Sequence, residues 1–263
     1  EILSPRPPYS GGGAWEGFMK YIAYCSFGKD SLAMILTIIK YGMPIDEVVY
    51  CEVMFDENIS GEYHEHEDFI HNKAIPILEL CYGLKVRVLR YPKTYKEWCF
   101  QLRQKGKYTG TPVGFPMRLG PWCNNLKVRP IRAYNKEQTD DVHEYVGIAI
   151  DEPERLARLT PNKSSPLADY GITEEMAMEI CKEHFLLSPI YQTQARNGCW
   201  FCHNARIGEL RDLWKNHPEL WAGLREIQAI SRVTFKQDYT IFDLEKRFEK
   251  EIADESNRHS EAG

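Results

Sequence analysis

Two stretches of this chain combine residue types and spacings suited to chemistry. The first is Ser26-Phe27-Gly28-Lys29-Asp30-Ser31. Two hydroxyls, a lysine and a carboxylate lie within one short run, and Gly28 lets the backbone approach a ligand closely. Such a set suits a phosphate-bearing anion. The second is Arg196-Asn197-Gly198-Cys199-Trp200-Phe201-Cys202-His203. Its C-x-x-C spacing serves a redox dithiol, half of a zinc site or part of an iron–sulfur site. Cys123 stands far upstream in Pro121-Trp122-Cys123-Asn124-Asn125-Leu126-Lys127-Val128-Arg129-Pro130 and offers a third thiol.

The elements around the first stretch determine how it would act. Tyr21 to Cys25 is a short apolar run and reads as a buried strand. Leu32, Ile35, Leu36, Ile38 and Ile39 then repeat at helical spacing. Strand, glycine-bearing loop and helix start place free N–H groups and the positive helix dipole end at the loop. The spacing is not that of a Walker A loop.

The same alternation continues downstream. Glu47–Val53, Lys85–Leu89 and Tyr145–Ile150 read as strands, and Glu62–Leu80 reads as one long helix. Strands separated by helices predict an α/β fold, a parallel sheet with helices on both faces. Ligands of such sheets bind beyond the carboxyl ends of the strands. There the chain places Met54, whose backbone is positioned to read an adenine edge, and Asp151–Arg158 with Arg155 and Arg158. Thr94–Gln104 reads as helix and Lys105–Gly120 as a long loop in a segment rich in aromatic, glycine and basic residues. Thr173 opens a helix that carries Cys181, and three apolar stripes make the C-terminal third helical. The expected organisation is an arm or leader over 1–18, a nucleotide-binding α/β domain over 19–160 and a helical region with the C-x-x-C over 161–263.

Composition bounds the reading. The 263 residues are 43% hydrophobic and 27% charged, values of a soluble globular chain. A net charge of −5 argues against a broad non-specific nucleic-acid surface and leaves room for a local basic groove. No run is long and apolar enough to span a bilayer, and no secretory pattern opens the chain, so the expected location is cytoplasmic. Eight cysteines in such a setting read as thiols or metal ligands rather than a disulfide framework. Cys25, Cys51, Cys81 and Cys99 fall in strand or helix patterns, as core residues do. His64, His66 and His71 are interleaved with Glu65, Glu67 and Asp68, which reads as a solvated helix face.

Ser26-Phe27-Gly28-Lys29-Asp30-Ser31 after a strand resembles the PP-loop, S-x-G-x-D-S, of the ATP pyrophosphatase and PAPS reductase superfamily (the adenine nucleotide alpha-hydrolases). The Pro121–Pro130 stretch and the run from Ser165 through the C-x-x-C to Trp221 resemble the phage-type PAPS reductase-like group, so the resemblance runs discontinuously from Met19 to about Trp221. It implies an adenine nucleotide, ATP or a phosphosulfate, bound by Ser26, Gly28, Lys29, Asp30, Ser31, Met54, Arg129 and Arg158. It gives catalytic roles to Lys127 and Arg155. Ala149 stands where the family often has arginine.

The resemblance also implies a [4Fe-4S] cluster next to the nucleotide, held by Cys123, Cys199 and Cys202. Asn124 replaces the second cysteine of the adenylyl-sulfate reductase pair, and PP-loop tRNA thiolases use such a three-cysteine set with one iron open. Cys181 or His203 would be a fourth ligand, and zinc is the rival metal. After Cys202 the chain has no E-C-G-L-H segment, so the thiosulfonate route of authentic PAPS reductases is not expected. Three functions follow: an iron–sulfur oxidoreductase of sulfur metabolism, an ATP-dependent sulfur transferase acting on DNA or tRNA, or a non-catalytic nucleotide module with structural zinc. An electron- or sulfur-donor protein would be a partner of the first two.

Overall fold

The computed structural model describes residues 19–116, 124–194 and 197–261. In chain order the elements are β1 (Met19–Tyr24), α1 (Lys29–Lys40), β2 (Glu47–Glu52), α2 (His64–Phe69), a π-helical segment (Ile70–Ala74), α3 (Ile75–Leu80), β3 (Val86–Arg90) and α4 (Tyr95–Phe100). A second π-helical segment (Asn124–Val128), α5 (Arg129–Lys136), β4 (Asp141–Val146), α6 (Pro153–Leu156), β5 (Lys163–Ser164), α7 (Pro166–Asp169) and α8 (Glu174–Glu183) follow. A 3-10 turn (Pro189–Gln192) and helices α9 (Ile207–Asn216), α10 (Pro218–Ile230) and α11 (Ile241–Glu261) complete the chain.

The sheet has five strands in the order β3-β2-β1-β4-β5. β1 pairs parallel with β2, with Ile22 opposite Glu47, and parallel with β4, with Ile22 opposite Glu144. β4 pairs parallel with β5. Strand side chains alternate between faces, and the core divides accordingly. Ala23, Cys25, Val48, Tyr50 and Tyr145 join the core of α1, α7 and α8 with Leu32, Ile35, Leu167 and Cys181. Ile22 and Val49 turn the other way and pack with Tyr134 of α5. The expected parallel sheet with helices on both faces is therefore present.

The structure differs from the pattern reading in several places. The long helix over Glu62–Leu80 is divided by the π-helical segment. Pro76 has no N–H for an i→i−4 bond, and a widened turn ahead of it accommodates the loss. His66 leaves the solvated face expected of it: it is buried, with Nδ1 2.8 Å from Ser188 Oγ. The YVGIAI strand begins earlier and ends at Val146. Beyond it Ser165 Oγ takes the Ile148 N–H at 3.2 Å and donates to Ile148 O at 2.6 Å, which draws the chain out of the sheet.

By packing the chain divides into two discontinuous units rather than at residue 160. One unit comprises 1–51, 64–89 and 130–197, and contains most of the sheet with α1 and α8. The other comprises 52–63, 90–129 and 198–263. Residues 161–197, expected with the helical region, pack with the sheet because Leu167, Ile172, Ala177 and Leu186 complete its core. The second unit has an aromatic centre, with Phe55 and Trp200 ring centroids 4.5 Å apart and Tyr95 stacked on Phe201 at 4.2 Å. Among the described residues no helix is long and apolar enough to cross a membrane.

Candidate nucleotide loop and cysteine turn

The loop between β1 and α1 is built from the inside outward. Phe27 is fully buried, its ring edge-on to Tyr50 at 5.1 Å, and its backbone takes a left-handed φ of 57°. A non-glycine residue there carries conformational strain, which the buried ring holds in place. Gly28 then caps α1 with no side-chain hydrogen bond to the first turn. Ser31 Oγ binds the loop from within: it donates to Gly28 O at 3.0 Å and accepts the Ser26 N–H at 3.2 Å. The N-cap side chain thus takes none of the first-turn donors, and helix N-termini of this kind receive phosphate oxygens.

Charge at the loop is finely set. Lys29 is buried, and its Nζ reaches Asp30 Oδ1 and Glu174 Oε2, each at 2.8 Å. Burial alone would lower the Lys29 pKa; the two carboxylates outweigh it and raise it. Burial raises the Asp30 pKa above the ordinary aspartate value, against the pull of Lys29. The Lys29 N–H donates to Tyr191 Oη at 2.9 Å. Asn197 Nδ2 donates to Ser26 O at 3.3 Å, and the Asn197 carboxamide lies directly on Gly28. Gly147, at the end of β4, faces the Asp30 carbonyl so closely that a Cβ would come within 2.8 Å.

The cysteine turn belongs to the second unit. Cys199 and Cys202 are half-buried, and the Cys202 N–H donates to Cys199 O at 3.0 Å. Trp200 and Phe201 between them are buried, so the intervening pair anchors the turn while the thiols stay nearer the surface. Trp200 Nε1 donates to Ser60 O at 2.9 Å, and its backbone N–H donates to Gly61 O at 2.9 Å. Lys236 Nζ donates to His203 O at 2.8 Å and Ala205 O at 2.6 Å, which ties down the far side. Two thiols at C-x-x-C spacing fit half of a metal or cluster site. Cys123 lies outside the described residues, among which no group of three His, Cys, Asp or Glu side chains is placed to hold a metal.

No protein-family model and no curated protein matches this sequence. Among solved structures, the U34-tRNA thiolase NcsA from Methanococcus maripaludis with its [4Fe-4S] cluster is similar at a TM-score of 0.41 and 17% identity, over 88% of this chain and 81% of that one.

The remaining expected residues are distributed as follows. Cys181 is fully buried under the loop, and its thiol donates to Lys29 O at 3.2 Å. Burial pushes its pKa up to about 12. Cys25 is likewise buried, with its pKa pushed up to about 11. Met54 is half-buried in an antiparallel bridge with Ser60, and its carbonyl accepts the Tyr95 N–H at 2.9 Å. Arg155 is exposed and grips Glu152 at 2.5 Å, and Arg158 is exposed. Lys127 is half-buried, and exposed Arg129 reaches Tyr91 Oη at 3.5 Å.

Sequence reading missed Tyr191, Glu174 and Asn197 as supports of the loop, and took Gly147 only as a loose match to a nucleotide-contacting family segment, without its close packing on the loop helix. All are distant from the loop in the chain.

Proposed function

We propose that this chain is an ATP-binding PP-loop enzyme that activates an acceptor oxygen for replacement by sulfur. The observation that carries the reading is the N-terminus of α1 behind the strained loop, where Gly28 supplies no side-chain cap and a lysine is buried at the first turn. Ser26, Gly28, Asp30 and Ser31 form the phosphate cradle. Lys29 exchanges one of its two carboxylate partners for a phosphate oxygen when nucleotide arrives, and Arg155 and Arg158 supply further charge at the end of β4. The acceptor oxygen attacks the α-phosphorus, the bond to the β-phosphate breaks and pyrophosphate leaves. Sulfide sulfur, delivered by a donor protein, then attacks the acceptor carbon, and AMP departs with the former acceptor oxygen.

Cys123, Cys199 and Cys202 would hold a [4Fe-4S] cluster, whose chemistry when bound is to keep sulfur at an iron that no thiolate takes. We leave Cys181 out of that set, on the support of its full burial. Lys236 fixes the His203 and Ala205 carbonyls, just beyond Cys202. Lys127 and Arg129, on the same stretch of chain as Cys123, would hold an anionic substrate.

A phosphosulfate would present similar phosphate oxygens to the loop. Incubation with ATP and an acceptor separates the two readings: release of pyrophosphate supports adenylation. Tight phosphosulfate binding with no pyrophosphate from ATP under any acceptor would replace it with the phosphosulfate reading.

A further inference from the structure

We propose that the hairpin over residues 101–113 docks single-stranded nucleic acid. The charge distribution along the chain points to it first. From Trp98 to Lys136 there are eight lysines and arginines and no aspartate or glutamate, in a chain whose net charge is −5. Polyanion surfaces are built by such segregation.

The structure places three of the eight, Arg103, Lys105 and Lys107, on a defined platform. The segment expected as a plain loop is a short hairpin: Leu102 bridges Pro112, the Arg103 N–H donates to Thr111 O at 2.9 Å and the Val113 N–H donates to Gln101 O at 2.9 Å. Arg103 Nη2 also donates to Val113 O at 2.8 Å. The base is pinned, because the Phe115 N–H donates to Ser231 Oγ at 3.0 Å and a Cβ at Gly114 would come within 2.6 Å of that same oxygen. The tip projects Lys105, Lys107 and Tyr108, all exposed.

Arg232 lies over the Tyr108 ring with its guanidinium carbon 4.0 Å from the centroid, while 40% of Tyr108 stays accessible. A ring backed by a cation and flanked by lysines matches the chemistry of a stacked base between two phosphates. An acidic protein surface would use the lysines and have no need of the ring. The inference deepens the proposed function by naming the acceptor class, and rests on that reading only for what is done to the bound strand.

The test is fluorescence anisotropy of the whole chain, without ATP, against labelled oligo(U) and oligo(dT) of about 15 nucleotides, from about 50 to 200 mM salt. Both strands should bind, with affinity falling as salt rises. Equal binding assigns the site to backbone and base, and preference for oligo(U) assigns it to RNA. The double variant Lys105→Ala/Lys107→Ala should reduce the log–log salt slope by about 1.4. Tyr108→Ala should weaken binding about tenfold at unchanged slope. Lys73→Ala, an exposed lysine outside the hairpin, should change neither. The proposal is overturned if the wild-type chain binds neither strand, if the double variant matches wild type, or if Tyr108→Ala leaves affinity intact, which would mark a bare polyanion or acidic-protein patch. Loss of ATP binding at the loop beside intact strand binding would remove the proposed function and leave this site standing.

Discussion

The carboxamide of Asn197 rests on the α-carbon of Gly28, so closely that a Cβ at Gly28 would meet its Oδ1 at 2.7 Å and its Nδ2 at 2.8 Å. On the proposed reading a phosphate oxygen approaches the loop at this contact, so nucleotide binding would require Asn197 to swing aside against its bond to Ser26 O. Asn197→Ala is expected to raise ATP affinity a few-fold in calorimetry. Gly28→Val should lower it about tenfold or more by filling the same space, with the thermal transition retained. Unchanged affinity in both variants would remove the loop from the binding site.

Lys29 is expected to matter more than its two carboxylate partners suggest. In Lys29→Met, Asp30 and Glu174 would face an incoming phosphate with no intervening cation, and ATP affinity should fall about tenfold or more. Glu174→Gln should act oppositely, because it leaves Lys29 with one competing carboxylate. A titration in which both variants bind ATP as wild type does would show that the phosphate lies elsewhere.

Gly147 tests the join between β4 and α1. A Cβ there would meet the Asp30 carbonyl and Ser31 Cα at 2.8–2.9 Å, backbone atoms that cannot rotate away. Gly147→Ala should cost about 1–3 kcal/mol, read as a lowered Tm, and weaken ATP binding because the shift falls on the loop helix. Gly171→Ala is a control of the opposite kind: open space surrounds it, but its φ of +68° makes the substitution strained by backbone alone.

A pH dependence follows from Glu47 at the start of β2. Its carboxylate is 1% exposed and is met by Lys20 at 3.2 Å, Lys85 at 3.1 Å, Arg87 at 2.9 Å and the Tyr134 hydroxyl. Burial would raise its pKa, but the Tyr134 hydroxyl and the three cations together hold it at about 2, below the usual 4.5. A folded-state pKa below the unfolded one stabilises the fold above pH 4.5, and the contribution fades as pH falls through about 2. It amounts to at most about 3 kcal/mol. Urea unfolding between pH 5 and about 2.5 should therefore show a smaller loss of stability in Glu47→Gln, which starts lower at pH 5. Parallel curves for the two proteins would show that Glu47 is not depressed.

The cysteine turn is tested by colour. Chain purified anaerobically should be brown, carry about four irons when filled, and lose its colour in Cys199→Ser, Cys202→Ser and Cys123→Ser. Cys181→Ala should keep it. A colourless protein with stoichiometric zinc would make the site structural.

Much of the sheet was legible because its strands are short apolar runs set between helical periods, and the loop because Ser26 to Ser31 are contiguous. Thr173 announced α8 by its capping chemistry, and its side chain does accept the Met176 N–H. The π-helical turn was not legible from the apolar period of residues 62–80, since hydrophobic spacing is blind to the missing N–H of Pro76. The hairpin at 101–113 hid because its pairing is carried by backbone and glycine rather than by alternating apolar residues. The supports of the phosphate loop come from three distant segments, and distance in sequence leaves no local period to read. Cys181 was ambiguous because a thiol can be a ligand or a small core side chain, and only burial separates them.

The alternation of the two units along the chain has a consequence for biogenesis. The polypeptide passes from one unit to the other five times, and the final passage falls between Asn197 and Gly198. During synthesis from the N-terminus, every segment of the sheet unit has left the ribosome before the residues that close the second unit emerge. Cys199 and Cys202 lie in that last segment. The turn that carries them is therefore completed only after the last segment of the sheet unit has been synthesised, and a metal held by both thiols could be inserted only from that point on.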